Sequence, residues 1–299
     1  MTTSGALRRR WWLIAGLVLT TVVVAVVFVR FVVLRDQARA VPITEVVEDF
    51  RAATMTTPTT AGTDATPATT TRVTGATPTI ADPTTTTSAP PAPTPATIEL
   101  GVYRYRTTGS EEIDALDGAT HRYPAETTIT ATEGGCGIHL RWDALRERRE
   151  EWSLCPTASG VELQPEAVQY HEFFGQPEEE AVACDRGVVL VPSADEPAAL
   201  GRTQLMCTLG DDPWLPTWEV LERDVRVVAG ETVPVRHVRM TVIDHDDYWE
   251  DQVIDWYLAE TGLPVEATAV KSSRSPSPIG GVVYREEYHL ELASLEPTR

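Results

Sequence analysis

The hydrophobic and polar positions divide the chain into three parts, and the first is a long apolar run. Trp11 to Val29 is nineteen residues without a charged side chain, close to the roughly 20 that an α-helix needs to cross a hydrocarbon core. Arg30 interrupts the run before Phe31 to Leu34, but an arginine near a helix end can extend its guanidinium to the headgroups. The pattern predicts a transmembrane signal-anchor helix over residues 11–34.

The second part contains few large apolar residues. Within the juxtamembrane segment 35–51, the stretch PITEVVEDFR predicts one or two amphipathic turns with Val46, Val47 and Phe50 on one side. Residues 52–97 contain 19 Thr, 8 Pro and 10 Ala, a composition that cannot offset the backbone entropy of ordering. We expect a disordered linker with polyproline character, a spacer reaching about 40 to 140 Å.

The third part, residues 98–299, alternates apolar and polar positions with period two. In the last predicted strand, Val282, Tyr284, Tyr288, Leu290 and Leu292 share one face, and Arg285, Glu287, His289 and Glu291 share the other. An antiparallel sheet with one solvated face has this pattern. Similar stretches are Thr127–Thr132, Gly137–Trp142, Val225–Val228, Val233–Ile243, Val253–Leu258 and Pro264–Val270.

The predicted fold class is therefore mainly β: an antiparallel meander of about ten to twelve strands, curved into a half-barrel or closed into a barrel-like shape. Helical periodicity within residues 98–299 occurs only at Asp143 to Glu151, and its length is marginal.

The four cysteines lie between positions 136 and 207. Hairpins turning near Arg146 and Glu196 would place Cys136 opposite Cys155 and Cys184 opposite Cys207, so we predict these two disulfides among the three possible connectivities. Each would stabilise the domain by about 3 kcal/mol. A zinc site is the competing interpretation, but no pair has the CxxC spacing.

Orientation does not follow from the charges beside the span, because three arginines lie close to each end of it. Disulfides and a Thr/Pro-rich tract suit an oxidising exterior, and residues 1–10 are too few for a translocated domain. We predict a single-pass protein of the cell membrane, with residues 1–10 as a cytoplasmic tail and residues 98–299 as an extracytoplasmic domain. The alternative is a signal peptide cleaved after Ala40, since Ala38-Arg39-Ala40 has the small-x-small form.

Charge excludes one class of partner. Residues 98–299 carry 17 basic and 38 acidic side chains, a net charge of −21, and such a field repels nucleic acid. Lys271 is the only lysine; we attribute this scarcity to a genomic base-composition bias and assign it no function.

Candidate chemistry is sparse. The acidic run Asp244 to Asp251 could hold a hard cation on Asp244, Asp246, Asp247, Glu250 and Asp251, but it lacks the EF-hand pattern, and a solvated hairpin tip is the simpler interpretation. His171 to Gly175 (HEFFG) begins like a zinc-protease helix, yet Gly175 stands where the second histidine is needed. We predict no catalytic residues and no cofactor. Core packing is the default explanation for the tryptophans, and an aromatic-lined ligand groove is the alternative; they are Trp142, Trp152, Trp214, Trp218, Trp249 and Trp256.

Several stretches carry a resemblance. Tyr103-Arg104-Tyr105, GATHRYP, GCGIHLRW, HEFFGQ, WYLAETGLPVEATAV and GVVYREEYHLELASL resemble an uncharacterised family of membrane-anchored envelope proteins from high-GC bacteria. More distantly, the hairpin Trp256 to Val265 is similar to one in LolA-like lipid and lipoprotein carriers. That resemblance implies a curved antiparallel sheet around an apolar cavity, and lipid or lipoprotein binding.

Three functions follow as hypotheses. The first is a non-enzymatic binding module for an apolar envelope ligand such as a lipid. The second is a protein-interaction or sensory ectodomain, which would need a membrane partner because a cytoplasmic tail of ten residues cannot transmit a signal alone. The third is an enzyme of unrecognised type, since convergent polar groups can be invisible in sequence.

Overall fold

The computed structural model describes residues 23, 36, 38–56, 97–115, 118–193, 201–244, 250–277 and 280–299. Apart from Val23, the predicted span 11–34 lies outside these residues, as do positions 57–96 of the predicted linker. No helix within the described ranges has the length and apolar character to cross a bilayer.

One antiparallel sheet of sixteen strands forms the domain. The strands are β1 (Gly101–Ile113), β2 (Ala119–Arg122), β3 (Glu126–Glu133), β4 (Ile138–Leu145), β5 (Arg148–Thr157), β6 (Gly160–Phe173), β7 (Gln176–Cys184), β8 (Val188–Pro192), β9 (Arg202–Gln204), β10 (Cys207–Leu209), β11 (Asp212–Trp214), β12 (Thr217–Val228), β13 (Glu231–Asp244), β14 (Glu250–Ala259), β15 (Pro264–Ser277) and β16 (Gly280–Leu292). The fold class is confirmed as mainly β and antiparallel, with more strands than expected.

The sheet order runs β11-β10-β7-β6-β5-β4-β3-β1-β16-β15-β14-β13-β12-β9, with β2 paired to β1 and β8 paired to β6. Long neighbouring strands form a meander, and β16 returns to pair with β1. The sheet curls into a half-barrel, which brings β8 against β12 and β13. The curl creates a concave face that is shielded from water.

The core fills the concave face as the alternation predicts. On β16, the residues at 284, 288, 290 and 292 are more buried than their neighbours at 285, 287, 289 and 291. Tyr105, Leu140 and Trp142 are at most 1% exposed, and burying each such side chain contributes about 1.5–3 kcal/mol. The hydroxyl of Tyr105 donates to the Pro264 carbonyl at 2.7 Å, so this buried polar group is satisfied.

The marginal helical periodicity of Asp143 to Glu151 does not correspond to a helix, and the hairpin predicted near Arg146 is confirmed. These residues end β4, turn at Arg146-Glu147 and begin β5. Arg148, Glu150, Trp152 and Leu154 share the inner face of β5, so the period is two there. The apparent helical spacing arose because residues on both sides of a hairpin turn are buried.

Both predicted cysteine pairs lie at disulfide distance, with Cα–Cα separations of 5.4 Å for Cys136–Cys155 and 3.8 Å for Cys184–Cys207. The first pair flanks the β4–β5 hairpin, as expected. The second joins β7 to its neighbour β10, but the intervening chain is not the simple hairpin that we predicted. Its β8 pairs with β6 and its β9 with β12, while Glu196 lies outside the described residues.

The juxtamembrane segment forms a longer helix than the sequence indicated. Helix α1 (Ile43–Thr56) has 14 residues and includes the first five positions of the predicted linker. Ile43, Val46, Val47 and Phe50 follow the i, i+3, i+4, i+7 spacing of one helical face. They form a second apolar cluster with Val102 of β1, whose side chain points away from the concave face that Tyr103 and Tyr105 line. Helix α1 therefore covers part of the convex face.

Candidate functional site

A row of polar side chains crosses the concave face at one register level. Gln252 of β14 is paired with Lys271 of β15, Lys271 with Glu286 of β16, Glu286 with Glu111 of β1, and Glu111 with His121 of β2. All five residues are buried, with exposures of 7%, 4%, 2%, 0% and 0% in that order. We call these residues the polar row. The next inward positions on one side of the row are apolar, and they include Ile254, Ala269 and Tyr288.

The ammonium group of the only lysine lies within the polar row. Lys271 Nζ is 2.7 Å from a Glu150 carboxylate oxygen and 2.9 Å from one of Glu286. Burial lowers the pKa of Lys271, but the attraction of Glu150 and Glu286 outweighs burial and raises it above its ordinary value. The lysine is therefore charged at neutral pH, and two carboxylates compensate that charge.

Arg148 of β5 joins the same carboxylates from across the interior. Its Nε donates to Glu286 at 3.0 Å, and its Nη2 pairs with Glu150. The hydroxyl of Tyr123 also donates to Glu286. Burial raises the pKa of Glu286, yet the attraction of Arg148 and Lys271 holds it well below its usual range. Two cations and two carboxylates thus form a closed, mutually neutralised group.

Glu111 connects the outer half of the polar row to two histidines. Its two carboxylate oxygens each lie 3.0 Å from a histidine Nδ1, one of His121 and the other of His171. The Tyr284 hydroxyl donates to the same carboxylate at 3.1 Å. Burial raises the pKa of Glu111, but the hydrogen bonds from both histidines outweigh it and lower that pKa.

The pKa values of the two histidines are shifted in opposite directions. Burial lowers the pKa of His121, but its contact with Glu111 and the nearby carboxylate of Asp36 raise the pKa overall. Burial and the positive charge of Arg148 lower the pKa of His171. Within the described residues, Glu111 thus bridges one histidine whose pKa is raised and one whose pKa is lowered.

An apolar cavity lies beside the polar row. Its volume is about 80 Å³, several times what one water molecule requires. Glu150, Gln252 and Lys271 form its polar wall. The rest of the lining is mainly apolar and includes Trp152, Trp214, Trp218, Trp256, Met240 and Ile254.

Three residues that line the cavity each have a buried polar atom without a hydrogen-bond partner within the described residues: Trp214 Nε1, Trp218 Nε1 and Gln252 Oε1. Trp218 is 4% exposed and stacks on Trp256 with ring centroids 5.2 Å apart, so its indole is fixed in place. A buried donor or acceptor without a partner costs about 1–3 kcal/mol. A ligand group that paired with these atoms would remove this cost.

The structure describes only some of the residues of the predicted cation site. Of the acidic run, Asp244 and Glu250 face each other at the ends of β13 and β14 and Asp251 pairs with Ile243, whereas Asp246 and Asp247 lie outside the described residues. Within the ranges that are described, no group of three or more His, Cys, Asp or Glu side chains could hold a metal ion. The candidate cation site therefore stays a prediction.

The HEFFG segment lies in the sheet, as the alternative to a zinc helix required. His171 and Phe173 end β6, and the backbone turns at Phe174 and Gly175, both with positive φ. Phe173 is buried and stacks on His121 at 4.5 Å between ring centroids. Among the tryptophans, Trp142 is a core residue and four others line the cavity, while Trp249 lies outside the described residues.

Sequence reasoning missed the polar row, although a usable signal was present. On β16, Glu286 is in phase with Tyr284, Tyr288 and Leu290, and on β15, Lys271 is in phase with Ala267 and Ala269. A strict period-two alternation would have placed both charged side chains on the concave face of the sheet. We did not recognise Lys271 as an inward-facing residue because we attributed the scarcity of lysine to base composition.

Comparisons of the chain with protein-family models, with curated proteins and with solved structures found no match. The resemblances to the uncharacterised envelope family and to LolA-like carriers therefore stay predictions.

Proposed function

We propose that this chain is a membrane-anchored, extracytoplasmic binding module that holds a largely apolar envelope ligand, such as part of a lipid, in the tryptophan-lined cavity. The observation that carries the proposal is the combination of an apolar lining with the unpartnered Trp218 Nε1 and Gln252 Oε1. Pockets with mostly apolar walls and a few placed polar groups are typical ligand sites.

The dimensions of the cavity limit the ligand. A space of about 80 Å³ suits a small molecule or the part of a lipid that carries one hydroxyl, ester or amide group. Such a group could accept a hydrogen bond from Trp218 and, where it has a proton, donate one to Gln252. The charges of the polar wall already compensate one another, so a net charge on the ligand is not required.

The anchor is the second element of the proposal. It rests on the apolar run over residues 11–34, and the two cysteine pairs at disulfide distance agree with an oxidising compartment outside the cytoplasm. The C-terminal domain would then meet ligands of the cell envelope.

Filling the cavity tests the binding role. Ala167 lines the cavity on β6, and Ala183 is exposed on the neighbouring strand β7. We expect Ala167→Phe to occupy the space and exclude the ligand, whereas Ala183→Phe, the same substitution on an outward-facing position, leaves it open.

The full chain and both variants would be purified into lipid nanodiscs, and the molecules released on denaturation would be quantified by mass spectrometry. A compound present at about one per chain in the wild type and in Ala183→Phe, but lost from Ala167→Phe, supports the proposal. Equal amounts in all three samples, or no compound above the background of empty nanodiscs, refutes it.

A further inference from the structure

We propose that Asp36 and residues 38–56 hold the β-domain directly at the membrane surface, so that the Thr/Pro-rich stretch does not set the distance between anchor and domain. The inference rests on the proposed anchor over residues 11–34 and is independent of ligand binding. It reverses the role that the sequence suggested for the Thr/Pro-rich stretch.

The first contact between this segment and the domain comes two positions after the predicted span ends. Asp36 is buried against the domain, with Oδ2 3.3 Å from Nε2 of His121, which itself is 0% exposed. Two residues of chain cover at most about 7 Å. If the membrane helix ends at Leu34, the end of the half-barrel that carries His121 lies at the membrane surface.

Contacts continue along the segment. Arg39 donates from its backbone N and its Nε to the Glu147 carboxylate at 2.8 and 2.6 Å, and its carbonyl accepts from the Arg146 N–H at 2.9 Å. Glu45 in the first turn of α1 pairs with the Arg146 guanidinium. Both domain residues belong to the β4–β5 turn, so the segment starts α1 at the same end of the barrel.

Helix α1 then crosses the convex face to the opposite end. Val46, Val47 and Phe50 are at most 8% exposed and cluster with Val102 near the start of β1. The Arg51 guanidinium donates to the carbonyl of the C-terminal Arg299, whose neighbour Thr298 pairs with Val102. Val102 and Glu111 are nine positions apart on β1, about 30 Å along a strand.

Both ends of the Thr/Pro-rich stretch therefore lie at the end of the domain that is remote from Asp36. Its first residue follows Thr56 at the end of α1, and its last precedes Ile98 and Leu100, which lead into β1. The distance between anchor and domain is set by the docked Asp36 and residues 38–56, because the chain contacts the domain before it enters the linker.

A protease site placed in the linker separates the two arrangements. In full-length protein in isolated membranes, a specific protease sequence would be inserted in the middle of residues 57–96 and cleaved, and a C-terminal tag would be followed by centrifugation. If the linker is a stalk, the fragment that contains residues 97–299 moves to the supernatant. If Asp36 and residues 38–56 hold the domain, most of that fragment stays in the pellet.

Three further samples make the result decisive. The same site inserted between Leu34 and Asp36 must release the domain, which shows that cleavage and release are detectable. Val47→Asp places a charge in the docked face and should release the fragment after linker cleavage, whereas Met55→Asp, at an 83% exposed position of the same helix, should not. Tryptophan fluorescence of each variant before cleavage confirms that its domain is folded.

Each outcome is interpretable. Release of the wild-type fragment on linker cleavage overturns the docking proposal while leaving the anchor intact. Retention of the Val47→Asp fragment also overturns it, because retention would then have another cause. A chain that is in the supernatant before any cleavage refutes the anchor, and the docking geometry at the membrane falls with it.

Discussion

Replacing Lys271 by methionine tests whether the polar row is a charged, buried group. Methionine is similar in length and keeps the apolar stem packed, but it leaves Glu150 and Glu286 with Arg148 as their only full positive charge. Removing one partner from a buried, hydrogen-bonded ion pair costs about 3–5 kcal/mol. For a domain of about 200 residues, 1 kcal/mol shifts Tm by about 2–4 °C, so we expect Tm to fall by roughly 6–20 °C.

The matched control is Arg285→Met on β16, the strand that carries Glu286. Arg285 pairs with Glu112 at 2.9 Å, but both side chains are about half exposed, 54% and 45%. An exposed pair contributes about 0–1 kcal/mol, so this variant should melt within a few degrees of the wild type. Thermal unfolding of the full chain in nanodiscs, followed by tryptophan fluorescence, measures both.

The pH dependence of the Lys271→Met effect gives a second test. Burial raises the pKa of Glu150 and of Glu286, but Arg148 and Lys271 lower both overall. A carboxyl whose folded pKa is depressed contributes stability that is complete above its unfolded pKa of about 4.3 and is lost as the pH falls below that value. The wild type should therefore lose more stability than Lys271→Met between pH 5 and about pH 3. The difference in stability between the two proteins should become smaller over this range. The buried ion pair is refuted if Lys271→Met has the same Tm as the wild type at pH 7, or if the difference in Tm increases in acid.

Three more predictions follow from single contacts. Lys271 should resist an amine-acylating reagent in the folded chain and react only after denaturation, as judged by peptide mapping; modification at the rate of a free amine would contradict its 4% exposure. Replacing Cys184 and Cys207 together by serine opens a loop with a sequence separation of 23 and should cost about 3 kcal/mol, measured by denaturant unfolding under oxidising conditions; an unchanged midpoint would be inconsistent with a closed bridge. Tyr105→Phe removes the hydrogen bond to the Pro264 carbonyl and should cost about 1–3 kcal/mol in the same assay, and a neutral effect would mean that water reaches that carbonyl.

The sequence predicts the fold class well because alternation reports burial directly. The apolar inward positions of β16 and the Cys136–Cys155 pair follow from period and spacing, whereas the Cys184–Cys207 pair was predicted from a hairpin that the chain does not form. The strand count was too low because β6, β7, β9, β10 and β11 are short or carry charged and proline residues on partly exposed faces. In such strands, pairing to neighbours stabilises the structure more than an apolar stripe does.

The site was harder to predict because its determinants are long-range. Nothing local to Glu286 indicates that Arg148, 138 positions away, compensates its charge. The cavity arises where the curled sheet brings β5 and β6 near β12 to β14, and that curl is a property of the whole sheet. The length of the docked helix was underestimated for the same reason, since Val46, Val47 and Phe50 pack with Val102 of β1, a contact that the local sequence does not indicate.

The polar row also bears on how so long a sheet finds a single alignment. A register shift of one residue between two strands turns every apolar side chain outward and is strongly disfavoured. A shift of two residues keeps the apolar face inward. Between β15 and β16, such a shift would set Lys271 opposite Tyr284 or Tyr288 in place of Glu286, separating the buried ammonium group from one of its two carboxylates. The Lys271–Glu286 pair thereby discriminates against the mispairings of β15 and β16 that hydrophobicity alone tolerates.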